Sequence, residues 1–455
     1  MKHEHRASFS GKIGFVLSAA GASVGLGNIW RFPYLCAKYG GGIFLLVYII
    51  LTLTFGYTMI IAETAIGRRT KKSPVGAFSA ISQNKSMKMG GWINAVIPIL
   101  IVPYYSVIGG WVCKYLFEYL RLNANNIASD SFFVDFITNG FESELWFIVF
   151  SLMVLVVIFM GVRNGIERVS KLMMPVLVVL AVVIGIYSVT RPGAIEGVKY
   201  LFIPNFKDFS LMTVVTAMGQ MFYSLSIAMG ILITFGSYIK DDVSIETSTK
   251  QVEFFDTAIA ILASVMIIPA VFAFSGGDKS ALNKGPSLMF ITMPKIFASM
   301  GLGTLIGILF FALVLFAAVT SAIALTESAV STFSDEFKWN RKKGTIIMAI
   351  IMIVLGSLSS LGNGPLAEVK ILGMQFLDFF DFLTNSVMMP IAALATCLLI
   401  TRYMGIDALE SEVEQNDHPF KRKPVFNFMI KYLCPLFVII ILISAIANVL
   451  GIIQM

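Results

Sequence analysis

The chain has 455 residues, of which 57% are hydrophobic and only 13% charged. That is about half the ~25% charge of a soluble domain, which excludes a soluble globule of this size, a disordered chain and a coiled coil. The net charge of +7 reads as basic residues in the loops of a protein embedded in a lipid bilayer, and not as a nucleic-acid footprint.

Apolar blocks follow one another near 11–37, 41–66, 90–120, 145–161, 169–189, 211–239, 253–275, 303–333, 344–360, 370–402 and 427–453. A helix crosses a bilayer with roughly 20 apolar residues, so the expected fold is an all-α polytopic membrane protein of about 11 transmembrane helices. One transmembrane domain fills 1–455. Helices 1–5 lie over about 11–189, helices 6–10 over about 211–402 and helix 11 over about 427–453. Cys36, Cys113, Cys397 and Cys434 are scattered through apolar segments and read as free thiols. His3, His5 and His418 lie in polar end segments, which argues against an intramembrane metalloenzyme.

Lys and Arg set the orientation. The segment 68–88 carries Arg68, Arg69, Lys71, Lys72, Lys85 and Lys88. Segment 338–343 carries Lys338, Arg341, Lys342 and Lys343, and segment 402–423 carries Arg402, Lys421, Arg422 and Lys423. All three fall on one side with Arg6 and Lys12, which places the N-terminus in the cytoplasm of a cell bounded by this plasma membrane. The 121–144 loop, with Asp130, Asp135, Glu142 and Glu144 against Arg121 alone, falls outside. With eleven spans the C-terminus is outside too.

Two spans are wrong for plain helices. The first reads Gly21-Ala-Ser-Val-Gly25-Leu-Gly27-Asn28-Ile-Trp-Arg31-Phe-Pro33, and the sixth Gly219-Gln-Met-Phe-Tyr-Ser224-Leu-Ser226-Ile-Ala-Met-Gly230. Glycine in a helix interior costs about 1 kcal/mol relative to alanine, and backbone groups freed in lipid cannot be hydrated. Either span alone is also compatible with close packing through small residues. Together they hold the same place in two five-helix halves, the pattern of a transporter built from repeats with its site at the breaks.

The stretch Gly25-Leu-Gly-Asn-Ile-Trp-Arg-Phe-Pro33 closely resembles the neurotransmitter:sodium symporter family. So do Tyr39-Gly-Gly-Gly-Ile-Phe44, Glu63-Thr-Ala-Ile-Gly-Arg68, Pro103-Tyr-Tyr105, Gly219-Gln220 with Ser224-Leu-Ser226, and Ala317-Ala-Val-Thr-Ser321. The resemblance runs from residue 6 to about 381. It implies the leucine-transporter fold, a 5+5 inverted repeat with helices 1 and 6 broken mid-membrane, and sodium-coupled uptake by alternating access. Eleven spans are similar to its bacterial amino-acid transporters; eukaryotic relatives usually have twelve.

The same resemblance implies two sodium ions as cargo. One would sit among the carbonyls of Gly21, Val24 and Ala317 and the hydroxyls of Thr320 and Ser321, although adjacent mid-membrane hydroxyls also commonly bond back to their own helix. The second would take the Ser23 carbonyl, Asn28, Ser224 and a seventh-span residue matched here by Asp256, where the family often has Asn. An intramembrane carboxylate is costly without a compensating cation. A fixed Asp256 can replace the chloride that other members bind nearby, so no chloride is expected to be required; a structural Asp paired with a basic neighbour is the alternative. The substrate carboxylate is expected against this sodium, the amides near Leu26 and Gly27, and Tyr105. Its amine is expected against Ser23, Tyr223, Ser224 and Ser226. Gly25, matched by Asp in monoamine transporters, leaves room for that carboxylate and implies an amino acid. Ile101, Tyr105, Tyr223, Met229, Ser321 and Leu325 would line an apolar side-chain pocket, and the adaptable Met229 suits bulky or aromatic groups. Arg31 with Asp381 outside, and Arg6 with Asp335 beside Phe9 inside, are the expected gates. Glu63 is expected to accept amides of the broken sixth span, and Gly165 with Pro175 to let the fifth unwind. A proton-coupled carrier, a channel and an intramembrane enzyme fit less well, for want of a basic replacement at 320–321, a filter segment and a nucleophile–base pair.

Overall fold

The computed structural model describes residues 7–278 and 287–449. Among these, nine helices are long and apolar enough to cross a membrane: Gly42–Thr70, Lys85–Leu120, Gly140–Phe159, Val162–Val189, Ile245–Ser275, Gly303–Phe337, Arg341–Leu361, Phe376–Met404 and Lys423–Ala447. The pair Lys12–Ser23 and Gly27–Lys38 is one further span, bent by 53° at its break. The sixth run is Leu211–Ser224 followed by Ile231–Gly236, whose halves are each too short to cross alone. The two interrupted spans thus stand first and sixth in a series of eleven. The described residues contain isolated bridges, Gly41 with Pro204 and Ile371 with Met374, but no strand.

The packing repeats itself. The first span lies against the seventh and eighth, while the halves of the sixth lie along the second, and the third packs along the eighth. Exchanging the two five-helix halves maps first-on-seventh onto sixth-on-second and leaves third-on-eighth unchanged, as an inverted repeat requires. Both broken spans are buried along most of their length, so their free backbone groups face protein and not lipid.

Boundaries differ from the hydropathy reading where backbone chemistry intervenes. The tenth span begins at Phe376 and not near 370, because Leu372 and Gly373, with φ of 52° and 79°, close a turn ahead of it. The fifth begins at Val162, seven residues early, through a π-helical turn Val162–Glu167 whose charges had hidden it. Glu167 there is engaged by Lys171 and by Ser10. Short helices Ala194–Phe202, Met293–Ala298 and Ile406–Val413 occupy connections that read only as loops.

Candidate functional site

The break in the first span frees backbone groups, and several of them find side-chain partners, within the span or on other elements. The Gly25 amide donates to Asn28 Oδ1 at 3.1 Å and the Leu26 amide to the Tyr105 hydroxyl at 3.2 Å. The Ser321 hydroxyl lies 3.2, 3.1 and 3.3 Å from the carbonyls of Gly21, Ala22 and Val24. Ser226 donates to the Ala22 carbonyl and Gln220 Nε2 to that of Gly27. In the sixth span, Ser226, Ala228 and Gly230 take positive φ between the two halves. The Ala228 amide there donates to Glu63 Oε1 at 2.8 Å. Glu63 is fully buried on the second span, and its Oε2 has no hydrogen-bond partner among the described residues.

These groups enclose a cavity lined by all twelve residues expected around the substrate: Ser23, Gly25, Leu26, Gly27, Ile101, Tyr105, Tyr223, Ser224, Ser226, Met229, Ser321 and Leu325. Ala22, Asn28 and Ile231 complete it. The volume is about 20 Å³, room for little more than a water molecule. The bare glycines set its shape. A Cβ on Gly25 would stand 2.6 Å from Ser321 Oγ and 3.0 Å from Tyr105 Oη, and one on Gly27 would enter the Tyr223 ring.

Two oxygen-rich clusters border the cavity. In one, Asp256 Oδ1 accepts from Asn28 Nδ2 at 2.7 Å and from Ser224 at 2.8 Å, while Oδ2 accepts from Tyr48 at 3.1 Å. Asp256 is fully buried, and its partners are an amide and two hydroxyls, with no basic side chain among them. The expected trio of Asn28, Ser224 and Asp256 is therefore in mutual contact. In the other, Gly21 lies against the eighth span, where a Cβ would come within 3.2 Å of Thr320 Cβ. Thr320 donates along its own helix, to Phe316 and Ala317 at 3.0 and 3.1 Å, while Ser321 turns to the first span. The two neighbouring hydroxyls are not equivalent.

The expected outer pair is not formed in this conformation. Arg31 sits over the Tyr223 ring at 5.2 Å, and Asp381 accepts from Tyr104 and Asn385 at 3.2 and 2.5 Å. Each side chain is engaged elsewhere, and both line one cavity of about 500 Å³, separated from the inner one by Leu26 and Tyr223. On the opposite face Asp335 accepts from the Ser73 amide at 2.6 Å, and Phe9 is buried against Phe15, Phe235 and Tyr238. Arg6 lies outside the described residues.

Several participants were given no role by the sequence reading. Tyr48 gives no signal, being one aromatic in an apolar run. Gln220 and Glu327 do signal, as a mid-span amide and a mid-span carboxylate. Glu327 is fully buried and accepts from Arg341 at 2.6 and 3.0 Å and from Tyr238 at 2.8 Å, fastening the eighth span to the ninth and to the turn after the sixth.

Comparison with known proteins follows the same lines. A model of the Sodium:neurotransmitter symporter family matches residues 6–130 and 137–453. A Bacillus subtilis (strain 168) protein named as the uncharacterized sodium-dependent transporter YhdH is 31% identical over 450 residues, 98% of this chain and 99% of its own length. A Haemophilus influenzae protein also named as an uncharacterized sodium-dependent transporter is 29% identical over 97% of this chain and 98% of its own. The crystal structure of MhsT in complex with L-phenylalanine superposes with a TM-score of 0.87 at 36% identity, over 97% of this chain and 100% of that one.

Proposed function

The chain belongs to the sodium:neurotransmitter symporter family, transporters and not enzymes, and on that premise we propose that it carries neutral hydrophobic amino acids together with sodium, by alternating access and without chloride. The observation that carries this reading is the sealed cluster of Asn28, Ser224 and Asp256 beside the cavity. It offers a fixed negative charge and hard oxygen donors, the chemistry a sodium ion requires. A half-turn of the Asn28 amide, which gives up the Gly25 N–H bond to Oδ1, would exchange its nitrogen for oxygen, so that Asn28, Ser224, Asp256 and the Ser23 carbonyl all present oxygen to one ion.

The second ion belongs between the broken first span and the eighth. The carbonyls of Gly21 and Val24 already converge on Ser321. A hydroxyl has one hydrogen and two lone pairs, so the Thr320 bond to its own helix leaves its oxygen free to ligate. Once the cavity widens, the substrate carboxylate would lie at Tyr105 and the Leu26 and Gly27 amides. Its ammonium fits at the carbonyls of Ser23, Tyr223 and Ser224 and the hydroxyl of Ser226. The remaining wall, Ile101, Met229 and Leu325, has no charge to match a charged side chain. MhsT, whose crystal structure is a complex with L-phenylalanine, supports an aromatic cargo, for which Met229 would have to yield.

The test is uptake of a panel of amino acids into proteoliposomes with sodium, potassium or choline outside. Hydrophobic and aromatic amino acids should accumulate with sodium only. Uptake that is equal without sodium would sink the reading.

A further inference from the structure

We propose that the groove between the fifth and seventh spans is a binding site for one anionic phospholipid, with an acyl chain along the groove and the phosphate at Arg191. Val182, Gly185, Ile186 and Val189 form one wall and Leu262 and Val265 the other, around about 290 Å³. Gly185 makes the notch. A Cβ there would stand 3.5 Å from Val265 and 3.8 Å from Met266, ordinary contact, so a side chain can start at this position and a longer one would occupy the groove.

The mouth of the groove is built differently. Thr190, the last lining residue, accepts from Arg191 Nη2 at 3.2 Å, and Arg191 Nε donates to the Tyr187 carbonyl at 3.3 Å. The guanidinium lies 4.2 Å above the Tyr187 ring. A cation is thereby held in place at the end of the span, at headgroup depth, and no acidic residue pairs with it among the described residues. Val183 and Ile186 on the same face are 45% and 63% exposed, so this surface meets the bilayer. A bilayer supplies both an apolar chain and an anion in one molecule. A helix of a second copy would supply the first and leave Arg191 without a counter-charge.

In lipid the apolar part selects by fit, since tails are as apolar as the groove, and the headgroup selects by charge. One arginine near an anionic headgroup gives roughly fivefold preference. The test uses the full chain, purified and delipidated in detergent, with phosphatidylglycerol or phosphatidylcholine added as mixed micelles. Bound lipid is counted by native mass spectrometry and stabilisation by thermal melting. The natural chain should retain one phosphatidylglycerol in preference to phosphatidylcholine and melt higher with it. Gly185→Leu, and Val265→Phe from the opposite wall, should lose retention of both lipids while remaining monodisperse. Arg191→Gln should retain both and lose the preference. Equal retention in the natural chain and both groove-filling variants would overturn the acyl-chain site, and an unchanged preference in Arg191→Gln would overturn the headgroup site. A dimer in the natural chain that Gly185→Leu abolishes would overturn the lipid in favour of a second copy.

Discussion

Thr320 and Ser321 are adjacent, yet they bond in different directions, and this separates their expected effects. Ser321 reaches across to three carbonyls of the broken first span, so on the proposed reading its loss removes a sodium ligand and also loosens the carbonyls beside it. Thr320 bonds within its own helix, so its loss removes an oxygen and little else. A good bond to a charged partner contributes about 1.5–3 kcal/mol, more than tenfold in affinity. Ser321→Ala should therefore raise the half-saturating sodium concentration more than tenfold and lower the melting temperature without sodium. Thr320→Val, which keeps the shape of the side chain, should raise the sodium requirement alone. Sodium titrations of amino-acid binding, paired with melting curves, decide this. If Thr320→Val leaves the titration unmoved, its hydroxyl only stabilises the helix. Arg31 poses a similar choice. It lies over Tyr223, an attraction of about 0.5–1 kcal/mol at exposed sites, and an exposed ion pair with Asp381 is worth about 0–1 kcal/mol. Two nearly equal partners would suit the proposed outer gate, in which Arg31 exchanges Tyr223 for Asp381.

At the scale of the element, the sixth span is held open by a carboxylate from the second. Glu63→Gln keeps an oxygen for the Ala228 amide, whereas Glu63→Ala leaves that buried donor unpaired, at about 1–3 kcal/mol. Melting should thus fall distinctly for Glu63→Ala and little for Glu63→Gln, with sodium-dependent binding surviving in the latter. Equal losses would mean that the charge itself, and not the accepted hydrogen bond, is required. This contact also marks where sequence reading succeeds and stops. Both breaks were legible, because Gly21, Gly25, Gly27 and Gly230 and the mid-span hydroxyls violate helix chemistry on their face. The lining of the cavity was legible only through long motifs shared with a known family. Tyr48 against Asp256, or Gln220 against Gly27, was not legible: a contact between spans leaves no periodic trace in one of them. The early start of the fifth span was hidden for another reason, since the hydropathy of Arg163, Glu167 and Arg168 reports their charge and not that Lys171 and Ser10 hold Glu167.

For the whole molecule, the inverted repeat places two broken helices back to back at mid-membrane, and charge balance there becomes a property of the full assembly of ions and substrate. On the proposed reading, two sodium ions and an ammonium would bring three positive charges against two negative ones, from the substrate carboxylate and Asp256, leaving one positive charge where an asparagine would leave two. Asp256 is held by Asn28, Ser224 and Tyr48, and on the proposed reading its charge stands in for an external anion. Transport by the natural chain should accordingly be the same in chloride and in gluconate at fixed sodium. Asp256→Asn keeps the size and most of the hydrogen bonds but removes the charge. An uncompensated charge in such a site costs about 3–5 kcal/mol, so uptake should fall at least a hundredfold. Chloride, entering beside Tyr48 and Ser224, should restore part of it in the variant only. Chloride dependence in the natural chain would defeat the compensation argument. A fully active, chloride-indifferent Asp256→Asn would instead assign this carboxylate to the packing of the second, sixth and seventh spans, and the sodium it was thought to balance would have to lie elsewhere.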